Sequence, residues 1–138
     1  MGPARKESTM GSGTRIGKVR GLGSAKTGTH HWVMARVTAV SNLILMLWFI
    51  ASLVSLPALD HATVTAWLSA PLPATAMILL IVTVFYHLRL GLQVIVEDYV
   101  HDHGTKFGVI LLLNFYAVAG AALGIFAVAR IAFAGAAS

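Results

Sequence analysis

No cysteine occurs among the 138 residues. Disulfides, thiolate nucleophiles, iron–sulfur ligation and zinc–thiolate sites made by this chain alone are therefore excluded. Charge is almost as scarce. Charged residues make up 11% of the chain and apolar residues 57%, against about 25% and about 45–50% in an average soluble domain. Such a composition suits a bilayer as solvent, and the length suits one domain. The net charge of +5 is not evidence for a nucleic-acid partner. Six of the ten basic residues (Arg5, Lys6, Arg15, Lys18, Arg20 and Lys26) precede the first apolar segment, and none of the rest forms a basic stripe. A cluster of that kind sets membrane topology.

What is present is long apolar runs. Residues 1–29 are rich in Gly, Ser, Thr and basic residues without periodicity and read as a flexible basic cytoplasmic arm. No ordinary secretory signal is expected, because the apolar run starts late and no small-residue cleavage site follows it. Val37 to Leu59 carries no charge over 23 positions, and about 20 residues span a hydrocarbon core of roughly 30 Å. The fold class expected is all-α. It comprises an integral membrane domain over 30–138 with three transmembrane helices at about 35–56, 74–96 and 107–130. Pro57, Pro71 and Pro73 bracket the first connection, and Glu97–Lys106 forms the second. The basic arm before the first helix, set against a first connection without Lys or Arg, places the N-terminus in the cytoplasm and the C-terminus outside.

The second run ends in YHLRLGLQVIVEDYVHD, Tyr86–Asp102, which sets His87 and Arg89 inside a membrane helix. Ionisable groups at that depth are costly and mark functional sites. At 100° per residue, Gly91 and Asp98 fall about 40° and about 20° from His87, whereas Arg89 falls about 200° away. His87 lies about 16 Å along the axis from Asp98, near the midplane. Its imidazole suits metal or haem ligation, a proton relay or a structural hydrogen bond. Gly91 would leave room for a flat macrocycle. No other histidine lies at membrane depth, since His30, His31, His61, His101 and His103 flank the spans. A second axial ligand would have to come from a partner. Tyr99 and Asp98 at the membrane boundary suit either an interfacial anchor and a solvated cap, or a quinone-head site served by His101 and His103. Arg36 is either a snorkelling anchor or, with His30, a partner for carboxylates such as haem propionates.

GLGSAKTGTHHWVMARVTA (Gly21–Ala39) together with HLRLGLQVIVEDYV (His87–Val100) resembles the small hydrophobic membrane-anchor subunits of succinate dehydrogenase, respiratory complex II. The likeness extends over the chain from Gly21 and is strongest to the alphaproteobacterial and mitochondrial branch. It implies an axial haem b ligand at His87, haem packing at Gly91 and propionate contacts at His30 and Arg36. It implies a ubiquinone site at Tyr99 and Asp98. Arg89 has no counterpart in the enterobacterial pattern, and the partner subunit, a propionate and lipid headgroups are the three candidates for what it faces. The implied partners are a second anchor subunit of the cytochrome b556 type, an iron–sulfur subunit, a flavoprotein subunit and the lipid bilayer. The implied location is the bacterial inner membrane. The chain itself, without flavin fingerprint or cysteine, oxidises no succinate alone. A haem-free anchor and a fumarate reductase anchor are the nearest alternatives. A subunit of a proton-coupled transporter would instead show internal repeats and broken helices, and neither is visible.

Overall fold

The structure, a computed structural model, describes residues 25–135. Of these, 92% are helical, with no strand among the described residues. The order is α1 (Ala25–Ser55), α2 (His61–Ser69), α3 (Pro71–Tyr99) and α4 (His103–Gly135). Three of the helices are long and apolar enough to cross a membrane, over Gly28–Ser55, Pro71–Tyr99 and His103–Ala134.

Each boundary has a local cause. Ser55 is followed within two residues by Pro57, which disfavours helix in the residue before it. Asp60 caps α2, its carboxylate accepting the Thr63 amide at 2.7 Å. Pro71 opens α3 at a position where a missing N–H costs nothing. Asp102 repeats the device at α4, accepting the Thr105 amide at 2.8 Å. Both carboxyls are held below the ordinary aspartate range, chiefly by the backbone N–H groups of Thr63 and Thr105.

The helices overrun the expected spans. α1 starts at Ala25 rather than near residue 35, inside the stretch read as a flexible arm. The remainder of that arm, residues 1–24, lies outside the described residues. α3 continues to Tyr99, so Glu97 and Asp98 are helical and only residues 100–102 form the turn to α4. An uncharged run measures the hydrocarbon layer, and a helix can continue through the headgroups as a polar cylinder. α2 fills most of the connection that the sequence leaves as a loop.

α3 is the spine. It packs antiparallel to α1, through Thr38 on His87 and Asn42 near Thr83, and antiparallel to α4. At the second seam Gly120 of α4 lies under the Phe85 ring, so that a Cβ there would collide with it, and Gly124 sits against Ile81. Small residues permit this close approach, which is how membrane helices gain contact without a hydrophobic driving force. α2 wedges against the far end of the bundle. Leu68, Ala74 and Val128 form a buried cluster there, and Trp67 stacks on Trp48 with ring centroids 5.8 Å apart.

Candidate functional site

His87 is half-buried on α3, facing α1. Its Nδ1 lies 3.0 Å from Thr38 Oγ1. Thr38 is the one buried polar or charged residue among those described, 8% exposed. Its hydroxyl also lies 2.8 Å from the Met34 carbonyl and 3.2 Å from that of Ala35. A threonine hydroxyl has one hydrogen, and these two carbonyls, which can only accept, claim it. With that hydrogen on a carbonyl, the bond to the imidazole would run from Nδ1–H into the threonine oxygen. That tautomer would leave Nε2 free, as a metal ligand requires. No hydrogen bond within the described residues occupies Nε2.

Gly91, one turn further along α3, is exposed, and a Cβ built on it would meet nothing within 4 Å. Asp98 is exposed on the same side, and Tyr99 ends the helix with 79% of its surface free. The His87–Gly91–Asp98 face expected from helical spacing is therefore packed on α1 at His87 and open from Gly91 to Asp98. These features fit a planar group standing against α3 and completed by another chain.

The other expected residues divide. His30 lines a cleft of about 530 Å³ between α1 and α3, with His31 and Met34 from α1 and Tyr86, Arg89 and Glu97 from α3. Arg36 does not line it. It is exposed, with its guanidinium 4.7 Å above the Trp32 ring, about 120° round α1 from His30. The two are not brought together within this chain. Arg89 takes the side of α3 away from Gly91, as its spacing predicts, and faces Tyr86 with 5.9 Å between guanidinium and ring. His101 and His103 are exposed, and no cluster of metal-ligating side chains exists among the described residues. Sequence reasoning left Thr38 and His31 without roles. The signal for Thr38 was a hydroxyl within an apolar run. Its pairing with a residue 49 positions away depends on how the two helices are rotated, and spacing within one helix does not report that.

The chain matches a family model described as the succinate dehydrogenase/fumarate reductase transmembrane subunit over residues 10–121. It is similar to the succinate dehydrogenase hydrophobic membrane anchor subunit of Rickettsia conorii, 30% identical over 104 residues. The corresponding subunit of Rickettsia bellii is 28% identical over 103 residues. Both alignments cover 75% of this chain and 82% of the relative. No solved structure matches it significantly.

Proposed function

Since this chain belongs to the succinate dehydrogenase/fumarate reductase transmembrane subunit family, as a non-catalytic anchor subunit, we propose that it supplies half of a haem b pocket and part of a ubiquinone-reduction site. Both would sit at the end of the bundle where α1 begins. The observation that carries this reading is the Thr38–His87 bond. It supports His87 Nε2 as one axial ligand, with the second from a cytochrome b556-type anchor subunit standing against the open Gly91 face.

Haem b, when bound, supplies a one-electron store within reach of the quinone. The tasks of this chain's own residues are narrower. Thr38 holds the His87 ring and its Nδ1 proton. Gly91 leaves the macrocycle room. His30 and Arg36 are the cations proposed for the propionates, and their separation on α1 assigns them to different carboxylates or different edges of the pocket. Tyr99 donates its phenol hydrogen to a quinone carbonyl, and Asp98, one residue away and solvated, passes protons to it. The same end of the chain would dock the iron–sulfur and flavoprotein subunits, which oxidise succinate. The chain would lie in a bacterial inner membrane with its N-terminus cytoplasmic and its C-terminus periplasmic, following the basic arm.

The test is a reduced-minus-oxidised visible spectrum of the complex purified through a tag on this chain, wild type beside His87→Ala. A b-type band that the substitution removes or shifts is the expected result. An unchanged band excludes His87 as a ligand. Absence of the band in wild type, with the hydrophilic subunits still attached, would make this a haem-free anchor.

A further inference from the structure

Arg89 and His31 are unused by this function, and both carry a buried nitrogen without a partner: Nε of the arginine and Nε2 of the histidine. They line the same cleft of about 530 Å³. Arg89 stands about 13 Å along α3 from Asp98, within a hydrocarbon core of roughly 30 Å. A guanidinium at that level requires a counter-anion. No carboxylate among the described residues pairs with it, and the group it faces is the Tyr86 ring. The stripe above it on α3 continues at intervals of four, through Gln93 to Glu97. Gln93 donates to Glu97 Oε1 at 2.7 Å, which leaves the second carboxylate oxygen for another donor. From the membrane outward, the cleft thus presents a cation first and an anion about 12 Å later along the helix axis.

A second groove, of about 250 Å³, begins at the same two residues, Tyr86 and Arg89. It runs deeper between α3 and α4 along Val82, Phe85, Val118 and Ala121. A polar compartment nearer the membrane surface therefore adjoins a deeper apolar one at Tyr86 and Arg89. An amphiphile whose anion is deep and whose cation is shallow matches both compartments. We propose that the cleft and groove together bind one zwitterionic, amine-headed phospholipid of the ethanolamine class. Its phosphate rests on Arg89 and His31, its ammonium group meets Glu97, and an acyl chain follows the α3–α4 groove. His30 stands at the rim. The proposal shares His30 with the haem reading, but Arg89, on which the phosphate rests, lies about 160° round α3 from Gly91.

The experiment is native mass spectrometry with lipid extraction on the whole complex, purified through a tag on this chain and washed in detergent. Wild type, Arg89→Gln, Glu97→Gln, Ala121→Phe and His87→Ala are compared after exchange against phosphatidylethanolamine and phosphatidylglycerol. The expected result is one phosphatidylethanolamine retained by wild type and by His87→Ala, and lost from Arg89→Gln. Glu97→Gln should still retain a phospholipid but no longer favour phosphatidylethanolamine over phosphatidylglycerol. Ala121→Phe fills the groove with the guanidinium intact, so it decides the question if Arg89→Gln fails to assemble, and loss of the lipid is expected. A wild-type complex without retained phospholipid overturns the proposal. So does equal retention in Arg89→Gln and Ala121→Phe. A preference for phosphatidylglycerol that ignores Glu97→Gln overturns the headgroup assignment.

Discussion

The two ends of this bundle are built differently. At the α2 end the chain closes itself: Leu68, Ala74 and Val128 are buried together, Trp67 stacks on Trp48, and Ser69 reaches the Ile131 carbonyl at 3.5 Å. At the opposite end nothing in α1 before Thr38, nothing in α3 after Leu90 and no residue from 100 to 109 is buried among those whose exposure is described. Yet that end holds His30, His31, Arg36, Arg89, Asp98 and Tyr99, most of the chain's chemistry. One end is finished by its own side chains. The other is left open, and there we place the proposed cofactor, quinone, lipid and partner subunits.

The largest effect should come from the seam that both ends share. Gly120→Leu drives a side chain into Phe85 and should prevent α3 and α4 from packing, so that no complex is recovered through a tag on this chain. Recovery at wild-type yield would show that the seam tolerates separation. Trp67→Ala attacks only the closed end. Because Trp67 is half-buried, the cost should be about 2 kcal/mol, below the range for fully buried tryptophans. The melting temperature of the complex should fall, with its haem band unchanged. Thr38→Val attacks only the open end and keeps the shape of the side chain. With His87 as the proposed haem ligand, losing the bond that orients it should cost about tenfold or more in haem affinity. Haem occupancy and the low-spin electron paramagnetic signature should change while the melting temperature moves little, and Thr38→Ser should restore both. Tyr99→Phe should preserve assembly and haem but lower quinone reductase turnover several-fold, measured at subsaturating quinone. Unchanged turnover removes Tyr99 from the site.

The smallest effect is the pH response of the closed end. The Asp60 carboxyl is lowered in the folded chain by the Thr63 amide. Its contribution to α2 is present above the unfolded aspartate value of about 3.9 and is lost as pH falls through the lower folded value. Hydrogen exchange at the Thr63 amide should therefore accelerate only in that acidic window. The open end, where Asp102 caps α4 in the same way, should show a matching change at Thr105.

This division was only partly legible in the sequence. The three spans were, because a run without charge as long as Val37–Leu59 has few uses outside a bilayer. Their ends were not, since Lys26 to His30 is polar and still helical. α2 escaped because nine residues are too few for periodicity to register, although Asp60 followed three positions later by Thr63 was a cap in plain view. The face carrying His87, Gly91 and Asp98 was legible from helical spacing alone, and so was the opposite placing of Arg89. What joins different helices was not. Neither the Thr38–His87 bond nor the sharing of one cleft by His31 and Arg89 follows from spacing along one segment, and Arg36 turned out to stack on Trp32 instead of lining that cleft with His30.

Among the described residues, α1 makes its close backbone approach to α3 alone and makes none to α4. In biosynthesis this order has a cost in time. Of the described helices, the first to leave the ribosome has only the aromatic contact of Trp48 with Trp67 on α2 until α3 has been made and inserted. During that interval Thr38, Asn42 and the histidines of α1 face lipid or the insertion machinery. α3 and α4, adjacent in sequence and joined by the short turn at 100–102, can close into a hairpin as soon as both exist. A truncation after α3 should therefore leave α1 and α3 paired through Thr38 and His87 as in the complete chain, with the Gly120–Phe85 seam still to be made.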